Sequence, residues 1–341
     1  MNAQHAANSQ LMASNRSGTD GKPVVAIYGE LLDAGLALLA KRYDVHSGGR
    51  SAGREVVLGL IEGATVVCSD PKVRTDAELL DRCGPQLRLV AHFGVGYDQV
   101  DVAACAERGV IVTNTPGVLT AATAELAVAL SLAATRGMFE ASNELRAGRW
   151  GTWHPGAYCS GQVSGSVVGV IGMGRIGQEY ARMMRPFAAE IIYWNRSPKP
   201  AAEADLGARR VELDELMKSA DVISIHTPST PETHHLIGAK QLALVKPTAV
   251  LVNTARGSVV DGSAVAAALT EGRLGAAGLD VFENEPNVPE DLLAAPRAVL
   301  LPHIGSATWR TRNEMSRLVA ENVIAVLDGE GPLTPVPGSP V

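Results

Sequence analysis

Val167-Val168-Gly169-Val170-Ile171-Gly172-Met173-Gly174-Arg175-Ile176-Gly177 joins a short uncharged apolar run to a glycine-rich turn with G-x-G-x-x-G spacing. The run has the length and composition of a strand buried on both faces of a parallel sheet. Ile176, Tyr180, Met183, Met184 and Phe187 then recur at helical spacing, and Glu190 to Trp194 supply a second strand about twenty residues past the glycines. Each glycine has a task in such a βαβ unit. Gly172 permits the tight turn, Gly174 lets the backbone approach a pyrophosphate, and Gly177 lets helix and strand pack closely. A glycine-rich turn alone is common; strand, helix and strand around it make it a dinucleotide site, with the phosphates on a helix N-terminus.

After the second strand, a site for NAD places Asp or Glu against the ribose 2′-hydroxyl, but this chain reads Trp194-Asn195-Arg196-Ser197-Pro198-Lys199. Arg196, with Asn195, Ser197 and Lys199, offers donors for a 2′-phosphate instead, which predicts NADP as cofactor. A charge-assisted hydrogen bond contributes about 1.5–3 kcal/mol, so NADPH is expected to be preferred over NADH by at least about tenfold. The competing reading is a solvated basic turn.

Outward from this unit, the 341 residues are enough for two domains of ordinary size. From Pro23 strand-like and helix-like segments alternate: Val24 to Tyr28 and Leu31 to Ala40, Ala64 to Cys68 and Asp76 to Arg82, Leu87 to Ala91 and Val102 to Arg108, then Val110 to Thr113. That alternation predicts an α/β domain, its parallel sheet covered on both faces and complete by about Pro116. Thr120 to Met138 reads as a long connecting helix packed on both sides. Beyond the glycine unit, Val222 to His226, Ala249 to Asn253, Ala276 to Asp280 and Ala298 to Leu301 read as further strands. A last helix from Ala307 to Leu327, amphipathic through Met315, Leu318, Val319 and Val323, is expected to return to the first domain and leave a cleft between the two. The predicted fold class is α/β with two doubly wound parallel sheets. Its domains are 23–116 plus 307–333, for substrate, and 117–306, for the nucleotide; 1–22 reads as a disordered leader and Thr334 to Val341 as a loose tail.

A net charge of −6, with no basic cluster interleaved with aromatics, argues against nucleic acid as a partner. Cys68, Cys83, Cys105 and Cys159 are far apart, without the spacing of a zinc site. No metal is expected, and a reduced, cytoplasmic protein fits best. No run is long enough for a signal peptide core or a membrane span.

The strand-end loops of the second domain carry the reactive groups. Reducing a 2-oxo acid leaves an alkoxide that needs a proton donor titrating near neutrality, and His303 suits that role. A carboxylate on its other ring nitrogen favours the imidazolium, a part for Glu285. Arg256 supplies a fixed guanidinium to hold a substrate carboxylate or polarise its carbonyl. Spacing does not prove that the three meet, and most such residues are structural or solvated. Among the other histidines, His226 closes a strand, and His234 and His235 sit in a polar loop. His92 borders a turn, His92 to Asp98, whose backbone N–H groups either hold a carboxylate or form an ordinary strand-to-helix loop. Trp150 and Trp153 are either a wall of an interface or pocket, or core packing.

These motifs together resemble the D-isomer-specific 2-hydroxyacid dehydrogenases, and within them the glyoxylate/hydroxypyruvate reductases. The resemblance runs from Pro23 to about Pro332 and is carried by His92 to Asp101, Asn114 to Thr120, Gly169 to Gly177, Asn253 to Asp261, Gly278 to Pro286 and Leu301 to Thr308. It implies a Rossmann cofactor domain inserted into a flavodoxin-like substrate domain. It further implies that Arg256 binds the 2-oxo acid, that Glu285 pairs with His303, and that His303 donates the proton. Cofactor contacts are implied at Arg175, Ile176, Asn195, Arg196, Ser197, Thr227, Pro228, Thr254, Ala255, Asp280 and Gly305, beside Gly172, Gly174 and Gly177. Backbone groups of Val95 and Gly96 are implied to bind the substrate carboxylate. A homodimer is implied, built on the nucleotide domain and the connecting helix, with Trp153 or Trp150 reaching the neighbouring subunit's pocket. His92 stands where relatives acting on a phosphorylated substrate often have a basic residue, which favours a small unphosphorylated acid.

The expected function is therefore NADPH-dependent reduction of small 2-oxo acids, glyoxylate and hydroxypyruvate first. A dehydrogenase for a bulkier 2-oxo acid, and a non-catalytic nucleotide-sensing protein on the same scaffold, are the alternatives.

Overall fold

The computed structural model describes residues 21–50 and 52–341; the expected leader lies outside the described residues as far as residue 20. The chain forms two compact units, one ending at Leu119 and resuming at Thr308, the other spanning Thr120–Ala307.

The first unit runs β1 (Val24–Ile27), α1 (Asp33–Ala40), β2 (Asp44–Ser47), α2 (Arg54–Leu60), β3 (Val66–Ser69), α3 (Ala77–Cys83), β4 (Leu89–His92), α4 (Val102–Glu107) and β5 (Ile111–Thr113). Its strands are all parallel, in the order β2-β1-β3-β4-β5, the flavodoxin-like doubly wound arrangement. Every residue of β3 and β4 is buried, which is why Val66-Val67-Cys68 and Leu89-Val90-Ala91 read as short apolar runs. The edge strand β2, Asp-Val-His-Ser, is only half-buried, and the reading of the sequence passed over it and α2. An edge strand covered on one side needs no such run. The helix Trp309–Leu327 belongs to this unit, where Val319, Ala320, Val323 and Val326 pack with Val25, Ile27, Leu89 and Ala91.

The expected loose tail is instead tied to the sheet. Val336 is 3% exposed, and its N–H donates to the Val112 carbonyl at 3.0 Å. The Val112 N–H donates to Ser339 Oγ at 2.8 Å, and Thr113 bridges Pro335 in antiparallel register. Buried Asn322 accepts from the N–H groups of both Leu333 and Thr334 at 3.0 Å. The segment thus covers the open edge of β5, a use of chain that a polar, proline-rich composition does not announce. Deleting residues 334–341 is expected to cost at least about 2 kcal/mol, from one buried valine and several hydrogen bonds. Denaturant unfolding checks this, and an unchanged midpoint would contradict it.

The second unit begins with α5 (Thr120–Thr135) and α6 (Met138–Arg146). The single helix expected over Thr120 to Met138 is broken at Gly137, whose φ of +56° is left-handed. There follow β6 (Ser166–Ile171), α7 (Arg175–Met184), β7 (Ala188–Trp194), α8 (Pro200–Leu206), β8 (Arg209–Arg210), α9 (Leu213–Ser219), β9 (Val222–Ile225), α10 (Ala239–Leu242), β10 (Val250–Asn253), α11 (Gly262–Thr270), β11 (Ala276–Leu279), α12 (Glu290–Ala294) and β12 (Ala298–Leu300). Phe187 lies past the end of α7 and is 37% exposed, so it does not extend that helix's buried face.

The sheet order β12-β11-β10-β9-β6-β7-β8 is that of a Rossmann domain with one further strand. Alternation along the strands divides the core. Val168, Val170, Val222, Val250 and Val252 face Ala124, Ala127, Leu130 and Tyr180, whereas Ile171, Ile223, Leu251 and Ala277 face Leu216, Val265 and Leu269. Gly278 of β11 lets α5 lie close on the sheet: a β-carbon there would stand 3.0 Å from Leu130. Since all the strands are parallel, their carboxyl ends share one edge, where open α/β sheets bind ligands.

Candidate active site

At that edge the glycine turn follows β6. Gly172 has φ +96°, and a β-carbon there would come within 2.8 Å of the His226–Thr227 backbone; one at Gly177 would fall onto the Gly172 carbonyl. Gly174, by contrast, has open space where a β-carbon would stand, at the N-terminus of α7, with Arg175 exposed and Ile176 half-buried in the first turn. A pyrophosphate has room to approach there. Asn195 accepts from the Met173 N–H at 3.2 Å and donates to the Ser197 carbonyl at 2.9 Å. It thereby ties the turn after β7 to the glycine turn and leaves Arg196 and Ser197 exposed. The backbone N–H of Lys199 donates to Tyr193 Oη at 2.8 Å. The structure adds a cation that the sequence reading missed: Arg210 on β8 reaches the Asn195 carbonyl at 3.3 Å through Nη2. Two consecutive arginines gave no periodic signal, because a two-residue strand is too short to show one.

Beyond β9, Thr227 and Pro228 form the rim of the same edge. His226 closes the strand, its ring 5.0 Å from that of Tyr180 and its Nε2 2.9 Å from Ser224 Oγ. Burial pushes its pKa down to about 3, so this histidine stays neutral and is no proton donor near pH 7.

After β10, buried Asn253 shapes the turn that carries Thr254, Ala255 and Arg256. Its Nδ2 donates to the Arg256 carbonyl at 2.8 Å, and its Oδ1 accepts from the Ala255 N–H at 3.0 Å. Thr254 is 8% exposed, and its hydroxyl is a buried polar atom without a protein partner. Such an atom at the carboxyl edge of the sheet is a place for a ligand's hydrogen bond. Gly257 packs so closely on the Phe282–Glu283 backbone that any β-carbon would collide with it, which holds the Arg256 turn against the loop after β11.

That loop and the one after β12 carry the histidine and its carboxylate. His303 Nδ1 lies 2.7 Å from Glu285 Oε2, while Glu285 Oε1 accepts from the Phe282 N–H at 2.9 Å. His303 has φ +54°, a left-handed conformation that only surrounding restraint maintains. The restraint is Asp280: its carbonyl accepts the His303 N–H at 2.8 Å, and its two carboxylate oxygens accept those of Ile304 and Gly305 at 2.7 and 2.8 Å. Burial pushes the Asp280 pKa up against these hydrogen bonds. Burial also acts to raise Glu285, but the hydrogen bond and charge of His303, the Phe282 N–H and the charge of Arg256 outweigh it and hold the carboxyl below its ordinary value. The structure therefore brings Glu285 and His303 into contact and gives Asp280 and Asn253 positioning roles. Polar residues at the ends of buried strands were the available signal for both.

The first unit holds the other candidates. Val95 and Gly96 lie in the turn after β4, where Asn114 Nδ2 donates to the Val95 carbonyl at 2.8 Å. His92 is 1% exposed, with Nδ1 3.0 Å from Ser69 Oγ. Trp150 and Trp153, in the second unit, are 53% and 74% exposed, which overturns core packing for both.

Comparison with known proteins agrees with this geometry. Residues 128–305 match the family of the D-isomer specific 2-hydroxyacid dehydrogenase, NAD binding domain. The chain is 43% identical over 317 residues to a glyoxylate reductase of Thermococcus litoralis, covering 91% of this chain and 96% of that protein. A crystal structure of a glyoxylate reductase from Paecilomyes thermophila superposes with a TM-score of 0.83 at 34% identity, over 93% of this chain and 99% of that one. The NADPH-dependent glyoxylate/hydroxypyruvate reductase of Sinorhizobium meliloti, in complex with NADP and malonate, gives a TM-score of 0.82 at 35% identity, over 94% and 98%. This chain belongs to the D-isomer-specific 2-hydroxyacid dehydrogenases, and it is an NAD(P)-dependent oxidoreductase built on a Rossmann domain.

Proposed function

We propose that the protein reduces small 2-oxo acids, glyoxylate and hydroxypyruvate first, to 2-hydroxy acids with NADPH. The observation that carries this reading is the 2.7 Å pair of His303 Nδ1 and Glu285, held at the edge that bears the glycine turn. The cradle fits a dinucleotide: open space at Gly174, the unpartnered Thr254 hydroxyl, and guanidinium groups of Arg196 and Arg210 beside the turn after β7. Gly172, Gly174, Arg175, Ile176 and Gly177 would hold the pyrophosphate end. Asn195, Arg196 and Ser197 would take the 2′-phosphate, and Thr227, Pro228, Thr254, Ala255, Asp280 and Gly305 the remainder. Bound there, the nicotinamide supplies the hydride.

The protein's own groups do the rest. Glu285 occupies Nδ1 of His303, which leaves Nε2 to deliver the proton to the developing alkoxide oxygen. Arg256 holds the substrate carboxylate and polarises the carbonyl. The N–H groups of the Val95–Gly96 turn are assigned to carboxylate binding. The same reading places the protein in the cytoplasm, as a homodimer. Helix α6 has no buried residue, and its Met138, Phe139 and Leu145 are 49%, 44% and 59% exposed. Apolar side chains exposed on one helix fit a second copy.

The test is an initial-rate assay of NADPH and NADH oxidation with glyoxylate, hydroxypyruvate, pyruvate and phenylpyruvate. Turnover confined to phenylpyruvate would shift the reading to bulkier acids, and tight NADPH binding without any turnover would leave the sensing scaffold. Arg196→Ala is expected to erode the NADPH preference by about tenfold, with little change in NADH use. A variant that discriminates as before would show that Arg196 does not read the phosphate.

A further inference from the structure

Consecutive side chains in extended backbone point to opposite faces, yet the rings of His234 and His235 lie side by side, with centroids 4.1 Å apart and planes within 23°. The cause is local: His235 has φ +47°, its N–H donates to the Ser258 carbonyl at 2.8 Å, and the His234 N–H donates to Thr230 at 3.0 Å. Both Nε2 atoms meet one carboxylate. His234 Nε2 is 3.1 Å from Glu283 Oε1, and His235 Nε2 is 2.9 Å from Glu283 Oε2. Glu283 is fixed in turn, since its backbone packs against Gly257. The three ligand atoms all lie within 4.8 Å of one another, and the side chains are 54%, 38% and 39% exposed, open to an ion from solvent.

We propose that His234, His235 and Glu283 form a binding site for a divalent transition-metal ion of the zinc or nickel class. Two imidazole nitrogens and one carboxylate suit these metals, while magnesium and calcium take oxygen ligands. Zinc at about 2.0–2.1 Å from each ligand sets ligands about 3.3 Å apart, a few tenths of an ångström longer than the two histidine–carboxylate distances. Small ring rotations admit the ion, and water completes the coordination. The ion joins the turn of the two histidines to the loop that carries Glu285 two residues further on, so occupancy stiffens both. The cysteine spacing read on the sequence gave no sign of this site, which depends on parallel strands β9, β10 and β11 lying side by side so that the loops after β9 and β11 meet.

The test uses untagged full-length protein, stripped with a chelator and titrated calorimetrically with zinc chloride and with nickel chloride. Saturable binding is expected at this site, undisturbed by excess magnesium and accompanied by a rise in Tm. His234→Ala and Glu283→Gln are each expected to weaken it by more than about tenfold, with the circular dichroism spectrum unchanged. Cys159→Ser and His303→Ala are expected to retain it, which separates this site from the exposed thiol and from the Glu285–His303 pair. Zinc affinity equal to wild type in both His234→Ala and Glu283→Gln, no binding by the wild type, or competition by magnesium would each overturn the proposal.

Discussion

His303→Ala is expected to lower kcat for 2-oxo acid reduction by about 10²- to 10⁴-fold, the usual contribution of a positioned general acid, while NADPH binding stays within about twofold of wild type. The histidine is held by Glu285 on one nitrogen and by Asp280 through its backbone, so its ring stands ready without contributing to the glycine cradle. Stopped-flow turnover and fluorescence titration of NADPH separate the two effects. Retained turnover would remove His303 as the proton donor, and loss of NADPH binding would mean that its loop serves the cofactor instead. Glu285→Gln provides the companion measurement. Without the carboxylate the ring loses the hydrogen bond that orients it, so kcat is expected to fall while NADPH binding is retained. The carboxylate also has a consequence for stability. Because the Glu285 carboxyl is held below its ordinary value, the pair's stabilisation is present above the unfolded pKa and is lost as pH falls through the lowered one. Acid, rather than alkali, should release this loop.

Arg256→Ala is expected to reduce kcat/KM for glyoxylate by about 10²- to 10³-fold, the range for loss of a charged group aimed at a reacting oxygen. Arg256→Lys should recover only part of this, because a lysine cannot present the planar fork that grips a carboxylate through two parallel hydrogen bonds. The guanidinium sits on a turn whose shape Asn253 sets, so NADPH affinity is expected to survive both variants. A rise in KM with kcat unchanged would assign Arg256 to binding alone; parallel loss in both variants of NADPH affinity and activity would mean that the turn, rather than the charge, had been damaged.

The doubly wound class, the glycine turn and the strand-end positions of Arg256, Glu285 and His303 were legible because each rests on a local pattern: a buried parallel strand is an unbroken apolar run, and its carboxyl end is simply where that run stops. Strand β2 escaped notice because, at the edge, it is half-buried and polar. The last eight residues were misread for the same kind of reason, since what orders them is the open edge of β5, a partner more than two hundred residues away in sequence.

By itself, then, the sequence determined the fold class, the glycine turn after β6 and the strand-end positions of Arg256, Glu285 and His303, each of which follows from a pattern along one segment. The tertiary structure supplied the contacts between loops: Glu285 on His303, as the family resemblance implies, Asp280 clamping that loop, Arg210 on the turn after β7, and two neighbouring histidines sharing Glu283. Hydrogen bonds between loops depend on which strands lie side by side, and strand order is set by packing over the whole sheet rather than by any pattern within a loop.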